Sequence, residues 1–236
     1  MIYVTSDLHG YPLERFRALL AKADFSEEDY LFILGDVIDR NHQGGVDTLK
    51  WLLYQPNAEL LLGNHEAMLL SCAFLFDEIT EASVNAVTAR DMHLLSVWQR
   101  NGAEPTIRAL RETDPETRAD ILDYLREAPL YETVSAGGRD YLLVHSGLGG
   151  YRADKRIGEY TEDDLLWTRP SLTDRYSDRF TTVLGHTPTG YYSPDHRGRM
   201  LRTDTWIDID TGAASGLPPM LLRLDDLQPF YAESTE

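Results

Sequence analysis

The sequence predicts an α/β fold in which two β-sheets pack face to face and helices cover the outside. Two observations carry this prediction. Strand-like apolar runs and amphipathic helical segments alternate through residues 1–76, and strand-like runs dominate again after residue 130. Alternating strands and helices are typical of parallel strands that are joined by right-handed helical crossovers. The 236 residues, 42% of them hydrophobic, show no linker-like change in composition, so one domain is expected.

Three strands and three helices alternate in the first part of the chain. The predicted strands are the apolar runs at 2–5, 31–34 and 59–62. In the first helix, Pro12 suits the opening turn, and apolar residues recur on one face at Leu13, Phe16, Leu19 and Leu20. The third helix, 66–76, contains the only cysteine, Cys72, which we interpret as a small buried core residue rather than a nucleophile.

The second part of the chain differs in character. Residues 77–130 are polar, acidic and helix-like, and we interpret them as a helical insertion within a single domain spanning residues 1–236. Strand-like runs then return, with a Gly-Gly turn at 137–138, and regular hairpin signals there predict antiparallel strands. The last residues, 232–236, are expected to be frayed.

Composition excludes several classes of protein. The formal net charge of −17 argues against a nonspecific nucleic-acid binder, which needs a basic surface. One cysteine cannot form an intramolecular disulfide, which favours a reducing compartment. The sequence has no signal-peptide pattern and no apolar stretch of membrane length, so we expect a cytoplasmic protein without a membrane partner. The sequence leaves the oligomeric state open.

Five short motifs place polar residues at the ends of predicted strands. They are SDLHG at 6–10, GDVIDR at 35–40, GNHE at 63–66, HSG at 145–147 and GHTP at 185–188. In open α/β sheets, binding sites form at the C-terminal ends of the strands. Three carboxylates, four histidines and an asparagine at one sheet edge suggest a metal site. A dinuclear site is expected, because one metal ion cannot use so many ligands.

Each motif alone also has an ordinary structural explanation. Asp39 and Arg40 could form a surface ion pair, and Asn64 could cap the helix that follows it while Glu66 complements the helix dipole. His65 differs, because a positive imidazole is disfavoured at a helix N-terminus, and we interpret it as a functional group. Four of the seven histidines share the strand-end position, and no role is assigned to His42, His93 and His196.

In this order, the motifs resemble those of the calcineurin-like metallophosphoesterases, and within them the phosphoprotein phosphatase (serine/threonine phosphatase-like) family. That family's pattern reads GDxHG, GDxxDRG, GNHE, HGG and a later GH, and the resemblance covers about residues 5–188. Ser6, Asn41 and Ser146 replace glycines of the pattern, and none is a ligand position. IDIDTG at 207–212 resembles the strand turn that closes the fold. The resemblance implies a calcineurin-like two-sheet sandwich flanked by helices.

The resemblance also implies roles for individual residues. The first metal would be held by Asp7, His9 and Asp36, and the second by Asp36, Asn64, His145 and His186, so that Asp36 bridges the two. His65 would protonate the leaving oxygen, with Asp39 orienting it. Phosphate would be bound by Arg40, Asn64 and Arg169; for Arg169, in the short segment LLWTRP, an exposed strand-end arginine is the alternative.

The implied activity is hydrolysis of phosphomonoesters by a metal-bridging hydroxide, on a phosphoprotein or a small phosphoester. Manganese is the expected metal, with iron, zinc, cobalt or nickel as alternatives. The alternative functions are hydrolysis of dinucleoside polyphosphates such as diadenosine tetraphosphate, an inactive binding scaffold, and a metal-dependent nuclease, which the negative charge disfavours. The nearly neutral stretch 151–180 is expected to border the site and to accept anionic substrates.

Overall fold

A computed structural model of the chain describes residues 1–232. Of residues 232–236, which are expected to be frayed, 233–236 lie outside the described part. The strands are β1 Ile2–Thr5, β2 Tyr30–Ile33, β3 Ala58–Leu60, β4 Tyr131–Ala136, β5 Arg139–Val144, β6 Thr181–Leu184, β7 Leu201–Arg202, β8 Trp206–Asp208, β9 Met220–Arg223 and β10 Gln228–Tyr231. The α-helices are α1 Leu13–Lys22, α2 Val46–Leu52, α3 Asn64–Ser71, α4 Glu81–Ala86, α5 Ala89–Arg100, α6 Glu104–Glu112, α7 Pro115–Glu127 and α8 Glu162–Leu166.

The first sheet has the strand order β10-β9-β1-β2-β3. Strands β1, β2 and β3 are parallel, with Tyr3 opposite Leu31 and Leu31 opposite Ala58, as the alternation of strands and helices predicts. Strand β9 joins β1 in antiparallel orientation and β10 extends the edge. The C-terminal ends of β1, β2 and β3 therefore meet at one edge of the sheet.

The second sheet has the strand order β4-β5-β6-β8-β7. A hairpin joins β4 to β5, and its glycines, Gly137 and Gly138, have φ values of +56° and +75°, which suits a tight two-residue turn. The prediction of antiparallel strands holds for this pair and is wrong for β5, β6 and β8, which are parallel. The long connections 145–180 and 185–205 cross over between these strands, and such crossovers permit parallel pairing.

Side chains pack in three apolar layers, and the two-sheet sandwich predicted from the sequence is confirmed. Between the sheets lie side chains of both inner faces, including Val4, Phe32, Leu143, Val183 and Ile207. A larger cluster fills the space between the first sheet and helices α1 to α3 and α5 to α7, and a third covers the outer face of the second sheet. These layers bury the sheets and leave their shared C-terminal edge for polar residues.

Four helices, α4 to α7, occupy most of residues 77–130, where the composition predicts helices. Helix α5 packs on α3, and α6 and α7 pack on α2. Cys72 is buried directly after α3, and burial raises the pKa of its thiol to about 11, which agrees with its interpretation as a core residue. Among residues 1–232, no helix combines the length and apolarity needed to cross a membrane.

Candidate metal centre

Every motif residue with a proposed ligand role lies at the shared C-terminal edge. Asp7 and His9 follow β1, Asp36 follows β2, Asn64 and His65 open α3 after β3, and His145 and His186 follow β5 and β6. Each of these side chains is buried, with 8% exposure or less. The fold therefore brings these residues together at one edge, as the sequence predicts.

Asp36 lies at the centre of this cluster. Its Oδ2 is 3.7 Å from His9 Nε2 and 3.8 Å from His65 Nε2, and its Oδ1 is 3.5 Å from His145 Nε2. The cluster contains two groups of potential ligand residues, and within each group the ligand atoms all lie within 4.8 Å of one another. The first group is His9, Asp36 and His65, and the second is Asp36, His145 and His186. Asp36 belongs to both groups, which is the geometry of a bridging carboxylate.

The lone pairs at this edge point toward one another. The Nδ1 atoms of His9 and His145 face the carbonyl oxygens of Ile38, at 3.1 Å, and Leu34, at 2.7 Å, so each Nδ1–H donates there and each Nε2 lone pair faces the site. His145 Nε2 is then 2.9 Å from Asn64 Oδ1, another acceptor. With the amide in this orientation, two acceptors face each other, and a cation bound by both would satisfy them.

Two further acceptors, both on proposed ligand residues, have no hydrogen-bond partner among the described residues. They are Asp7 Oδ1 and His186 Nε2, and both are buried. Asp7 Oδ1 lies 3.7 Å from His9 Nε2, whereas its Oδ2 accepts hydrogen bonds from the Ser6 hydroxyl and from the backbone N–H of His186. Unpartnered buried acceptors are costly unless something binds them. The donor set of carboxylate oxygens, an amide oxygen and imidazole nitrogens fits divalent transition metals.

The protonation equilibria fit a cation as well. Burial raises the pKa of Asp7 and Asp36, and the neighbouring Asp7 charge raises that of Asp36 further. Burial also lowers the pKa of His9 well below its usual value and that of His186 to about 2. Metal coordination requires neutral imidazole and ionised carboxylate. The lowered pKa values favour neutral rings at His9 and His186, and a bound cation would favour ionisation of the two carboxyl groups.

His65 has surroundings that differ from those of the other histidines. Its Nδ1 is 2.6 Å from Asp39 Oδ2, and its Nε2 is 3.2 Å from Arg40 Nη2. Burial and the Arg40 charge lower the pKa of His65, and burial raises that of Asp39 to about 7. A guanidinium facing Nε2 competes with a metal ion for that lone pair. The contacts with Asp39 and Arg40 therefore distinguish His65 from the other histidines of the cluster, although its Nε2 lies close to Asp36.

Glu66 has a larger structural role than the helix-dipole interpretation gives it. Its carboxylate accepts hydrogen bonds from the backbone N–H groups of Asp36, at 2.8 Å, and Val37, at 2.9 Å, and from that of Gly63, at 3.2 Å. These bonds hold the turn that carries Asp36 against the start of α3. Gly35 makes this possible, because its φ is +87° and a Cβ there would lie 2.5 Å from Gly63 Cα.

The turns that carry the site are strained. Positive φ values occur at six candidate site residues, none of them glycine: Asp7, His9, Asp36, Asp39, Arg40 and His186. Such conformations cost about 1–3 kcal/mol each and persist where the surrounding structure enforces them. Here the enforcing contacts include Asp7 N–H to Gly35 O and His9 N–H to Asp36 O, which tie the first two motifs together. Strained residues of this kind are concentrated at functional sites.

The three residues that replace glycines of the family pattern each add a hydrogen bond. Ser6 donates to Asp7, Asn41 donates to the carbonyl oxygens of His9 and Ala213, and the Ser146 hydroxyl donates to Leu165 O and accepts from Thr168 N–H. The substitutions therefore connect the loops around the site. Ser146 in particular links the strand end of His145 to the segment that carries Arg169.

Only part of the stretch 151–180 borders the site. Arg169 is exposed, its Nη1 donates to Thr187 Oγ1 at 3.3 Å, and its charge is one of the causes that lower the pKa of His186. The Trp167 ring, 43% exposed, meets the His186 ring edge-to-face with 6.0 Å between the centroids. By contrast, Lys155 pairs with Asp164 at 3.1 Å, and Arg175 pairs with exposed Asp204 at 2.7 Å.

Sequence reasoning missed several residues that the fold brings to this edge. Asp208 and Asp210, in the segment interpreted only as a closing turn, are buried carboxyls, and burial raises the pKa of both well above its ordinary value. The charge of Asp7 raises the pKa of Asp210 further, so the two lie near each other. Trp98 and Thr106, from the helical segment, contact Asp39. The alternation of isoleucine and aspartate in IDIDTG is the one sequence signal that indicated Asp208 and Asp210. No sequence signal indicated Trp98 or Thr106.

Fold and site together define a two-sheet α/β protein with a candidate two-metal centre at the shared sheet edge. The sequence profile of the calcineurin-like phosphoesterase family matches residues 1–209. The chain therefore belongs to the calcineurin-like phosphoesterases, and the resemblance stated from the motifs is confirmed. Members of this family depend on two metal ions, and the His and Asp groups described above could hold them.

Curated relatives share part of the chain. It is 32% identical over 193 residues to the symmetrical bis(5'-nucleosyl)-tetraphosphatase of Chromobacterium violaceum, covering 80% of this chain and 57% of that protein. It is 28% identical over 148 residues to the protein of the same name from Acidovorax ebreus, covering 62% of this chain and 44% of that protein. The chain thus spans about half the length of these relatives.

Two solved structures share the fold. A protein described as a diadenosine tetraphosphatase matches with a TM-score of 0.65 at 16% identity, covering all of this chain and 94% of that one. A serine/threonine phosphatase from Saccharomyces cerevisiae, similar to human PP5, matches with a TM-score of 0.58 at 14% identity, covering all of this chain and 80% of that one. At these identities the likeness establishes the fold alone.

Proposed function

We propose that the chain is a dinuclear metal-dependent phosphoesterase that hydrolyses phosphomonoesters. The observation that supports this most strongly is the convergence of acceptor atoms from Asp36, Asn64, His145 and His186, with Asp36 shared by a second group around His9. The proposed ligands are those implied by the family resemblance: Asp7, His9 and Asp36 for one ion, and Asp36, Asn64, His145 and His186 for the other. We propose manganese as the metal.

Bound metal ions would supply a water-derived nucleophile and offset the charge on the phosphate oxygens. The remaining tasks fall to the chain's own side chains. Arg40 and Arg169, both exposed beside the site, orient the phosphate group through charge-assisted hydrogen bonds. His65 Nε2 takes up a proton from water and passes it to the departing oxygen, while Asp39 fixes the ring and stabilises the imidazolium by accepting a hydrogen bond from Nδ1. Arg40 must leave His65 Nε2 to bind phosphate, which frees that nitrogen for the proton.

A second candidate substrate is a dinucleoside polyphosphate. The observation that favours it is the name of the curated relatives, which are symmetrical bis(5'-nucleosyl)-tetraphosphatases at 25% to 39% identity. The same site could serve this reaction, because attack at an inner phosphorus also needs metal ions, arginines and a proton for the leaving oxygen. Serine/threonine phosphatase activity is the first candidate because the motif pattern, with Asp39–Arg40 and Glu66, follows that branch.

A substrate panel tests these proposals. The full chain, loaded with Mn²⁺, is assayed with p-nitrophenyl phosphate, a phosphoserine peptide, diadenosine tetraphosphate and bis(p-nitrophenyl) phosphate, and kcat/KM is compared. We expect both monoesters to be hydrolysed faster than the diester. Preferred cleavage of diadenosine tetraphosphate into two ADP molecules would favour the second candidate. Binding of these phosphoesters without turnover of any would instead indicate the scaffold and contradict the proposal.

The Arg169→Ala variant separates phosphate binding from surface charge. Because we propose that Arg169 contacts the phosphate, we expect KM for p-nitrophenyl phosphate to rise several-fold, with kcat falling too if the contact tightens in the transition state. The matched control is Arg175→Ala, which removes another exposed arginine, whose partners are Asp204 and Asp178. Steady-state kinetics decide: identical KM and kcat for wild type and Arg169→Ala would remove this residue from the phosphate site.

A further inference from the structure

The helices between residues 81 and 127 reach the candidate proton-donor pair. Trp98, on α5, donates from its indole Nε1 to Asp39 Oδ2 over 2.8 Å. Thr106, on α6, donates from Oγ1 to Asp39 Oδ1 over 2.5 Å, and the same hydroxyl accepts from the Asp39 backbone N–H at 3.0 Å. The side chains of Trp98, Thr106 and Asp39 have no exposed surface. Both carboxylate oxygens of Asp39 are therefore held by residues outside the five motifs.

These contacts fix the orientation of Asp39 completely. Oδ2 accepts from both His65 Nδ1, at 2.6 Å, and Trp98 Nε1, so its two lone-pair directions are occupied. Oδ1 is held by Thr106, whose hydroxyl closes a ring through the Asp39 backbone. Rotation of the carboxylate would break at least one of these bonds in a site without water contact, where a lost bond is expensive. The imidazole of His65 takes its direction from this carboxylate.

The loop between the two helices supports the adjacent arginine. The backbone N–H of Arg40 donates to Gly102 O at 2.9 Å. Gly102 has a φ of +96°, and a Cβ there would lie 3.0 Å from Arg40 Cγ. Asp39 and Arg40 themselves have φ values of +74° and +69°. The segment from Trp98 to Thr106 thus holds a strained dipeptide whose two side chains face His65 from opposite sides.

We propose that Trp98 and Thr106 are positioning residues that aim the His65 imidazole through Asp39, and that this is the task of the helical segment in the active site. The inference rests on the proposed role of His65 in hydrolysis. It goes beyond that role by assigning a function to a segment whose sequence carries no ligand motif. Trp98 and Thr106 act through Asp39 and make no contact with substrate.

A spectroscopic test reports on this geometry without depending on catalysis. The short bond between His65 Nδ1 and Asp39 Oδ2 gives the Nδ1–H proton a far-downfield NMR resonance, which is assigned by its loss in His65→Asn. We expect the resonance to shift or broaden in Trp98→Phe, which keeps an aromatic ring but loses the donor, and in Thr106→Val, which keeps the shape but loses the hydroxyl. Thr106→Ser, which retains the hydroxyl, restores the wild-type signal.

Matched controls remove equivalent groups elsewhere in the fold. Trp206→Phe deletes a buried indole N–H that donates to Asp174 O, and Thr113→Val deletes a buried hydroxyl that donates to Ala109 O. Both controls should leave the resonance unchanged. An unchanged resonance in Trp98→Phe and Thr106→Val as well would overturn the proposal, and Thr106→Val decides alone if Trp98→Phe does not fold.

Steady-state kinetics provide a second test of the positioning role. Mispositioning a catalytic group by about 1 Å can cost on the order of 100-fold in rate. We expect Trp98→Phe and Thr106→Val to lower kcat for an alkyl phosphate about 10- to 100-fold more than kcat for p-nitrophenyl phosphate, with KM and metal content unchanged. Equal losses on both substrates would overturn the positioning role. If the proposed function were wrong, the wild type itself would show no turnover. The NMR measurement would still report whether Asp39 and His65 are aligned.

Discussion

Replacing Asp36 with asparagine should remove most of the bound metal and almost all turnover. Asp36 belongs to both potential ligand groups, with oxygens 3.7 Å from His9 Nε2 and 3.5 Å from His145 Nε2. Asparagine keeps one oxygen, and with it the acceptor for the His65 backbone N–H, but it loses the charge and the second ligand atom. Both ions should therefore bind more weakly. Metal analysis of the purified variant and its rate on p-nitrophenyl phosphate measure this expectation.

Asp226→Asn is the matched control for that experiment. It removes an exposed carboxylate, paired with Arg223 at 2.7 Å, and leaves the sheet edge intact. The control should retain wild-type metal content and rate. If Asp36→Asn also retained both, Asp36 would not bridge the ions. Thermal melting provides an independent check, because a metal ion that binds only the native state stabilises it. A chelator should therefore lower the melting temperature of the wild type more than that of Asp36→Asn.

Replacing His65 with asparagine should lower kcat about 10²- to 10⁴-fold, the usual contribution of a general acid, while metal and fold are retained. The loss should depend on the leaving group. An alkyl oxygen needs protonation as it departs, so an alkyl phosphate should show the larger loss, whereas nitrophenolate leaves without help. Asp39→Asn should show a smaller version of the same pattern, because Asp39 acts through the Nδ1 hydrogen bond at 2.6 Å.

The structure also allows His65 to be a metal ligand, and the His65→Asn variant distinguishes this role from that of a proton donor. His65 Nε2 lies 3.8 Å from Asp36 Oδ2 and belongs to one of the two potential ligand groups. If His65 coordinated metal, His65→Asn would lose metal and slow both substrates equally. His93→Asn, which alters an exposed histidine on α5, is the control for any general effect of the substitution. Its kinetics and metal content should match those of the wild type.

The sequence was sufficient for the family, the parallel strands β1, β2 and β3, and the residues that meet at the sheet edge. These features can be predicted from short stretches of sequence. An apolar run predicts a strand, and the glycine and carboxylate that follow it indicate the C-terminal end of that strand. Asp7 and Asp36 could be placed at one edge because the parallel strands β1 and β2 share that edge. The parallel pairing of β5, β6 and β8 could not be seen, because long crossovers carry no hairpin signal.

Contacts that depend on distant packing were also invisible in the sequence. Glu66 stands at a position that suits a helix dipole, and only the tertiary fold places its carboxylate against the backbone of Asp36. Trp98 and Thr106 are separated from Asp39 by about 60 residues of chain, 59 and 67 respectively. Their side chains are apolar or neutral and fit ordinary helix patterns. Their contribution follows from where α5 and α6 pack, which periodicity alone does not specify.

The central claim is that this sheet edge binds two metal ions that act together in phosphoester hydrolysis. The measurement that tests it most directly is a titration of the metal-free chain with Mn²⁺, in which bound metal and hydrolysis of p-nitrophenyl phosphate are followed in the same samples. We expect a negligible rate without metal and a rate that reaches its plateau only when about two ions are bound per chain. A full rate in the metal-free chain, or a plateau with a single bound ion, would contradict it.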